Sequence, residues 1–266
     1  MLSLHAGPAD ILARPPSAGM PQGYFTFRRV AGPDGIRESC RLRYQVFCIE
    51  RGFLSPKDYP DQEESDCYDA HALHFLARHI DGEPAGTARL VFNGPLGLPF
   101  QPHCKLDPRY QFLSDPQYPS RRRYAEISRL AVPRCFRRRA GDGVYGGPPR
   151  ADRSSFDRSP TPVLPPLADA PEMVAGIFRL IYQESKRRGI THWVVAMERG
   201  LHVMLKRRGF VFTPIGPEVD YHGPVRPYVA EIAALECIAS RQRRRTFEFM
   251  TSALEFQLRP DGPLDS

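Results

Sequence analysis

The run Tyr124-Ala-Glu-Ile-Ser-Arg-Leu-Ala-Val132 has the composition of a buried strand, yet it carries Glu126 and Arg129, with Ser128 between them. Charged side chains in an apolar strand cost free energy unless they are paired or face a cavity. The run therefore encodes either an ion pair at a sheet edge or an active-site carboxylate beside a substrate-orienting guanidinium. Positions three apart on a regular strand point to opposite faces. A site shared by Glu126 and Arg129 thus requires an irregularity in the strand, such as a bulge.

Three further clusters could hold or orient a substrate. Leu42-Arg43-Tyr44-Gln45-Val46-Phe47 precedes Glu50-Arg51-Gly52-Phe53, and Arg43 and Phe47 share one helix face. An arginine beside a buried stripe ordinarily snorkels to the surface. Asp66-Cys67-Tyr68-Asp69 lies in a polar loop, where each acid suits a turn or the cationic part of a ligand. Gly86-Thr87-Ala88-Arg89-Leu90 places a guanidinium in a predicted hairpin strand. After the Glu126 strand, Arg138-Arg139-Ala140-Gly141-Asp142-Gly143 offers backbone N–H groups around Gly141 and Gly143 that can cradle phosphate oxygens. Strong anion binding there needs a helix directly afterwards. A Pro-rich stretch over 144–170 intervenes, which counts against a tight pyrophosphate site of the coenzyme A kind.

The elements that must position these groups follow from periodicity and punctuation. Residues 1–22 are rich in Pro, Gly and Ala and predict a disordered tail. A strand over 24–30 leads to a helix with Ile36, Cys40, Tyr44 and Phe47 on its buried stripe. Strands over 72–80 and 84–92 flank the hairpin signal Asp81-Gly82. Residues 93–120 read as loop, and 144–170 as an inserted loop. A helix from Pro171 to Arg188, a buried strand over 191–197, a helix over 201–208, and strands over 210–215 and 226–232 complete the pattern. The order β, α, β, β, β, insertion, α, β, α, β, β predicts an α/β fold, with a central mixed sheet flanked by helices. One domain over 23–235 is expected, followed by a basic and apolar C-terminal tail over 236–266.

Composition bounds the function class. The 28 prolines among 266 residues are about twice the usual share of roughly 5% and fall largely in the expected loops. The first twenty residues lack the apolar stretch of a secretory signal, and no apolar run is long enough to span a membrane. Six cysteines without CxxC or zinc spacing predict reduced thiols, no metal site and a cytoplasmic protein. The net charge of +7, concentrated in Arg121–Arg123, Arg137–Arg139, Lys206–Arg208 and Arg243–Arg245, calls for an acidic partner. No helix-turn-helix, zinc-finger or RNA-recognition signature supports a basic nucleic-acid-binding module. Residues 241–257 are a candidate contact with an anionic membrane surface.

Taken in order, L-R-Y-x-V-F with E-R-G-aromatic, D-x-Y-D, G-T-x-R-L and E-x-S-R-L-A-V resemble the motifs of acyl-homoserine-lactone (autoinducer) synthases. They are more similar to those of the long-chain N-acyl amino acid synthases. Trp193–Glu198, Pro214–Gly223 and Arg226-Pro-Tyr228 resemble the acyltransferases of PEP-CTERM/exosortase systems. The resemblance spans roughly 24–232. It implies a GNAT-like fold, an acyl carrier protein thioester or acyl-CoA as donor, a small-molecule amine as acceptor and no permanently bound cofactor. Residue by residue, it implies Arg43, Phe47 and Phe53 in the amine pocket, Asp66, Asp69 and Arg89 as further substrate contacts, and Glu126, Ser128 and Arg129 as the catalytic group. The lactone synthases carry tryptophan at the position of Phe53, so S-adenosylmethionine as amine donor is the alternative rather than the leading expectation. The phosphopantetheine arm of the donor is expected at Arg138, Gly141 and Gly143. Arg121–Arg123 and Arg137–Arg139 are the expected docking clusters for an acidic carrier. A lipid product would partition to membrane, so a cytoplasmic enzyme peripheral to the inner membrane is the expectation.

Overall fold

The computed structural model describes residues 20–22, 24–114, 123–137 and 170–260. Strands β1 (Met20–Gln22), β2 (Phe25–Val30), β3 (Ala72–His79) and β4 (Pro84–Phe92) pair antiparallel in sequence order. β4 pairs antiparallel with β5 (Tyr124–Ala131), which pairs parallel with β6 (His192–Met197). β7 (Thr213–Pro214), β8 (Val219–Asp220) and β9 (Pro224–Glu231) close the sheet, β9 lying between β6 and β7. The helices are α1 (Gly32–Tyr44), the single turn α2 (Arg134–Arg137), α3 (Ala170–Arg187), α4 (Arg199–Arg207), α5 (Ile232–Gln242) and α6 (Arg244–Thr251). This is the expected mixed α/β fold, a central sheet with helices on both faces.

Strand alternation assigns the two faces. Phe27, Phe75, Leu90, Ile127, Trp193 and Val195 point to the side covered by α3, α4, α5 and α6, where Ile177, Phe178, Leu205, Leu235 and Met250 complete the main core. Val30, Leu76 and Leu42 of α1 pack on the opposite face, beside Val91, Phe100, Leu113 and Val194. Glu126, Ser128, Arg89 and His74 share this second face, because Val91 pairs with Glu126, Arg89 with Ser128 and His74 with Arg89. The polar site thus occupies the α1 side of the sheet, where the cover is made of one helix and loops.

Several expectations change. Met20–Gln22 is a strand rather than disordered tail, paired with Phe25–Phe27. The 93–114 segment is irregular but not superficial: Leu98, Phe100, Cys104 and Leu113 are buried, and Pro108–Ser114 forms 3-10 turns. The strand expected over 210–215 shrinks to Thr213–Pro214, since proline lacks the N–H needed to continue a ladder. The domain does not end at 235. Residues expected as a C-terminal tail form most of α5 and all of α6, with Ala239, Met250 and Leu254 buried. The inserted 144–169 stretch and residues 1–19 lie outside the described residues. Among the described residues, no helix is long and apolar enough to cross a membrane.

Candidate active site

β5 carries the irregularity that Glu126 and Arg129 require. Between the pairs Arg89–Ser128 and Thr87–Ala131, β5 has one residue more than β4, and Arg129 adopts a left-handed φ of 52°. A bulge of this kind re-aims a side chain. Arg129 would otherwise follow Ile127 into the main core, but its guanidinium reaches the α1 face. On its other edge β5 loses its partner, because β5 and β6 pair only from Tyr124–His192 to Glu126–Val194. Beyond that register the strands diverge, and a cavity opens between them.

Glu126, Ile127, Ser128, Arg129 and Leu130 of β5 form one wall of this cavity, and Val195 to Glu198 form the facing wall. Phe178 and Leu201 line it from the main-core side, and Phe47, Arg51, Phe53, Leu54, Tyr221, His222 and Val225 line the remainder. α1 continues into a π-helical turn over Gln45–Glu50, and the Phe53 N–H donates to the Phe47 carbonyl at 2.8 Å. This wide turn holds both phenylalanines at the cavity. Phe53 also packs on Gly223, where a Cβ would stand 3.2 Å from the ring; φ is +102° there, so glycine suits the position twice over.

Glu126 is 2% exposed, and its carboxylate accepts a 2.8 Å hydrogen bond from the Phe100 N–H. Burial pushes its carboxyl up to about 8, against that N–H and the positive charges of Arg89 and Arg129, which favour the ionised form. Among the described residues it forms no ion pair with an arginine, because Arg89 and Arg129 are engaged elsewhere.

Arg43, Arg89 and Arg129 meet Glu64, Asp66 and Asp69 in a network of three cations and three carboxylates. Arg43 binds both Asp69 oxygens at 2.7 Å and contacts the Glu64 carboxylate at 2.6 Å. Arg89 donates to Asp66 at 2.6 and 2.7 Å, to Asp69 at 2.6 Å and, through Nε, to Ser128 Oγ at 3.0 Å. Arg129 donates to Glu64 at 3.1 Å and Asp66 at 3.2 Å. Burial works to raise the Asp66 and Asp69 carboxyls, but hydrogen bonds and charge from the arginines hold both below the usual carboxylate range. Burial likewise opposes the charge on Arg43 and Arg129, and their acidic partners more than restore it.

The expected site residues therefore divide by place. Phe47, Phe53, Glu126, Ser128 and Arg129 line the cavity. Arg43, Asp66, Asp69 and Arg89 stand behind it and neutralise one another, so their geometry positions β5 rather than presenting charge to a ligand. Arg43 does not snorkel; it is 1% exposed and belongs to the buried face of α1. Among the aromatic and aliphatic side chains that suit an acyl channel by type, Phe178 lines the cavity, while Phe75, Phe92, Ile177 and Trp193 are core. Arg138, Gly141 and Gly143 lie outside the described residues. Of the docking clusters, Arg123 donates to the Arg188 carbonyl and Arg137 pairs with Glu50, while 121–122 and 138–139 lie outside the described residues.

Sequence reasoning missed Glu64, Glu198, Tyr221 and His222. Tyr221 stacks on His103 at 3.9 Å and bonds Arg129; burial raises its phenol. Burial, followed by the charge of Arg129, lowers His222. Tyr221-His222-Gly223 has the look of a simple turn, and only the β8–β9 pairing carries it over Phe53. Among the described residues, no cluster of His, Cys, Asp and Glu is arranged to hold a metal ion.

Residues 42–145 match the family model of the acetyltransferase (GNAT) domain. Among solved structures, FeeM, an N-acyl amino acid synthase from uncultured soil microbes, is 12% identical, with 80% of this chain and 93% of that one covered at a TM-score of 0.51. TofI, in a ternary complex with an inhibitor and MTA, is 20% identical over 80% of this chain and 97% of its own, also at 0.51. The AHL synthase LasI is 18% identical, covering 79% and 91%, at 0.49. No curated protein matches the sequence. The domain match and the fold define the class: this is an acyl-transferring enzyme with the GNAT fold. Its likeness to these structures extends over four-fifths of the chain.

Proposed function

We propose that the chain is an N-acyltransferase moving a long-chain fatty acyl group from a carrier thioester to the amine of an amino acid or related metabolite. One observation carries the reading: the buried Glu126, with no ion-pair partner among the described residues, stands in a largely apolar cavity opened where β5 and β6 part. An amine attacks a thioester only when deprotonated, and an α-amine titrates near 7.7–8.0. A carboxylate poised at about 8 accepts that proton at little cost. The C–N bond forms, the tetrahedral intermediate collapses, the C–S bond breaks, and the proton can pass from Glu126 to the departing thiolate. Backbone N–H groups where the strands separate are suited to the oxyanion. Phe47, Phe53, Leu130, Phe178 and Leu201 supply apolar cover for the acyl chain.

The finer parts of the proposal rest on the resemblance of the motifs. These are an acyl carrier protein rather than coenzyme A as donor, a cytoplasmic setting, and a connection to PEP-CTERM/exosortase systems. Mass spectrometry of lipids from cells overproducing the protein tests the whole. A new N-acyl amino acid should accumulate with the wild type and be absent with Glu126→Gln. An equal yield from the variant would remove Glu126 as the base, and no new amide from the wild type would remove the proposal.

A further inference from the structure

Arg43, Arg89 and Arg129 are spent on three carboxylates, so none is free to receive a carboxylate from a ligand. Arg129 is the one that reaches the cavity, and it is held by Glu64, Asp66 and Tyr221 together. Arg51 differs. Its side chain is 21% exposed, and its one acidic partner among the described residues is Glu198, itself 26% exposed. Both line the cavity, and they join its two sides, the segment after α1 and the junction of β6 with α4. The Arg51 guanidinium lies over the Phe53 ring, 4.8 Å from its centre.

Glu198 also has somewhere else to go. It is the N-cap residue of α4, yet its side chain makes no capping bond to the helix. The N–H groups of the first turn and the helix dipole favour a carboxylate there. An anion arriving at Arg51 would therefore displace a partner with an alternative close by.

We propose that Arg51 is the acceptor's carboxylate anchor, released from Glu198 on binding, so that the acceptor is an α-amino acid rather than a simple amine. The ion pair exchanges one carboxylate for another of matching geometry, bidentate on the guanidinium, and leaves the acceptor amine free for Glu126. The inference rests on the acyl-transfer reading above and narrows its substrate class.

Initial rates with matched pairs, L-phenylalanine against phenethylamine and L-leucine against isoamylamine, test it under a fixed acyl donor. Arg51→Gln should raise KM for the amino acids roughly 10- to 100-fold, the scale of one lost charge-assisted bond. It should leave KM for the amines within about twofold. Glu198→Gln should act in the opposite sense, lowering KM for the amino acids several-fold by removing the competitor. Equal effects on amino acid and amine, or a Glu198→Gln that weakens amino acids as Arg51→Gln does, would overturn the assignment. Calorimetric binding of the amino acids without donor reads the same anchor independently of turnover. A wild type that binds them but transfers no acyl group would count against the proposed reaction and not against Arg51.

Discussion

Glu126 is the residue at which electrostatics and chemistry are most tightly joined. Its carboxyl is raised to about 8, so it is protonated in the folded protein at neutral pH and becomes a base only as pH rises. Acyl transfer should climb through pH 8, and Glu126→Gln should lose about 10²–10⁴-fold in kcat/KM together with that rising limb. The same shift sets a stability trend of opposite sense. The unfolded chain releases this proton near 4.5, while the folded one keeps it until about 8. The stabilisation is thus fully present below about 4.5 and lost as pH rises to about 8. Chemical denaturation of wild type and Glu126→Gln should show the variant gaining on the wild type across that window, by on the order of 5 kcal/mol at its upper end. Glu126 and Arg129 were legible because charge inside an apolar strand demands an explanation. Glu64 was not, for it sits in the acidic run Asp61-Gln-Glu-Glu-Ser-Asp66 and looks like any exposed turn. Its complete burial arises only because Arg43 and Arg129 converge on it from separate elements.

At the scale of elements, the bulge in β5 and the buried arginine of α1 depend on each other. The left-handed Arg129 is held by carboxylates that Arg43 and Arg89 also hold, so the network fixes the strand's kink as well as its own charges. Arg43→Met would leave Glu64 and Asp69 short of a cation in a buried setting. A loss of about 3–5 kcal/mol is expected, read as a lower denaturation midpoint. The helix α1 was legible, but its buried face was not: of the expected stripe Ile36, Cys40, Tyr44 and Phe47 only Cys40 is buried, and Ser39, Leu42 and Arg43 are buried with it, because the ion network behind the helix draws Arg43 inward. Gly176 in α3 shows packing overruling propensity in the same way. Alanine is favoured over glycine in a helix interior by about 0.8–1.0 kcal/mol. Here, however, a Cβ would come within 2.2 Å of the buried Phe27 ring. Gly176→Ala should therefore destabilise by about 1–3 kcal/mol, the cost of overpacking, and lower Tm.

Across the whole molecule, the strand and helix order was legible from alternation and punctuation, whereas the end of the domain was not. The basic run Arg243-Arg244-Arg245 looks like the start of a solvated tail. Instead Arg243 and Thr246 donate to the carbonyls of Arg207 and Arg208, fastening α6 to the end of α4 and bringing two basic clusters together. The apolar residues that suggested a membrane contact largely face inward, since Met250 and Leu254 belong to the main core. Ile232, Leu235, Met250 and Leu254 together bury enough to contribute on the order of 6–12 kcal/mol. That is comparable with the roughly 5–15 kcal/mol that keeps a whole domain folded. Truncation after Glu231 should accordingly abolish the cooperative thermal transition seen by circular dichroism, and a truncated chain that melts like the full one would refute the assignment of α5 and α6 to the domain. Loss of liposome binding on such a truncation would report unfolding, not the removal of an anchor. Phe256 is the side chain that separates the two, because it is 89% exposed. Phe256→Ser should leave Tm within about 1–2 °C. If co-sedimentation of the full chain with anionic liposomes falls with that single change, the exposed ring carries the contact; if it persists, the basic face of α4 and α6 does.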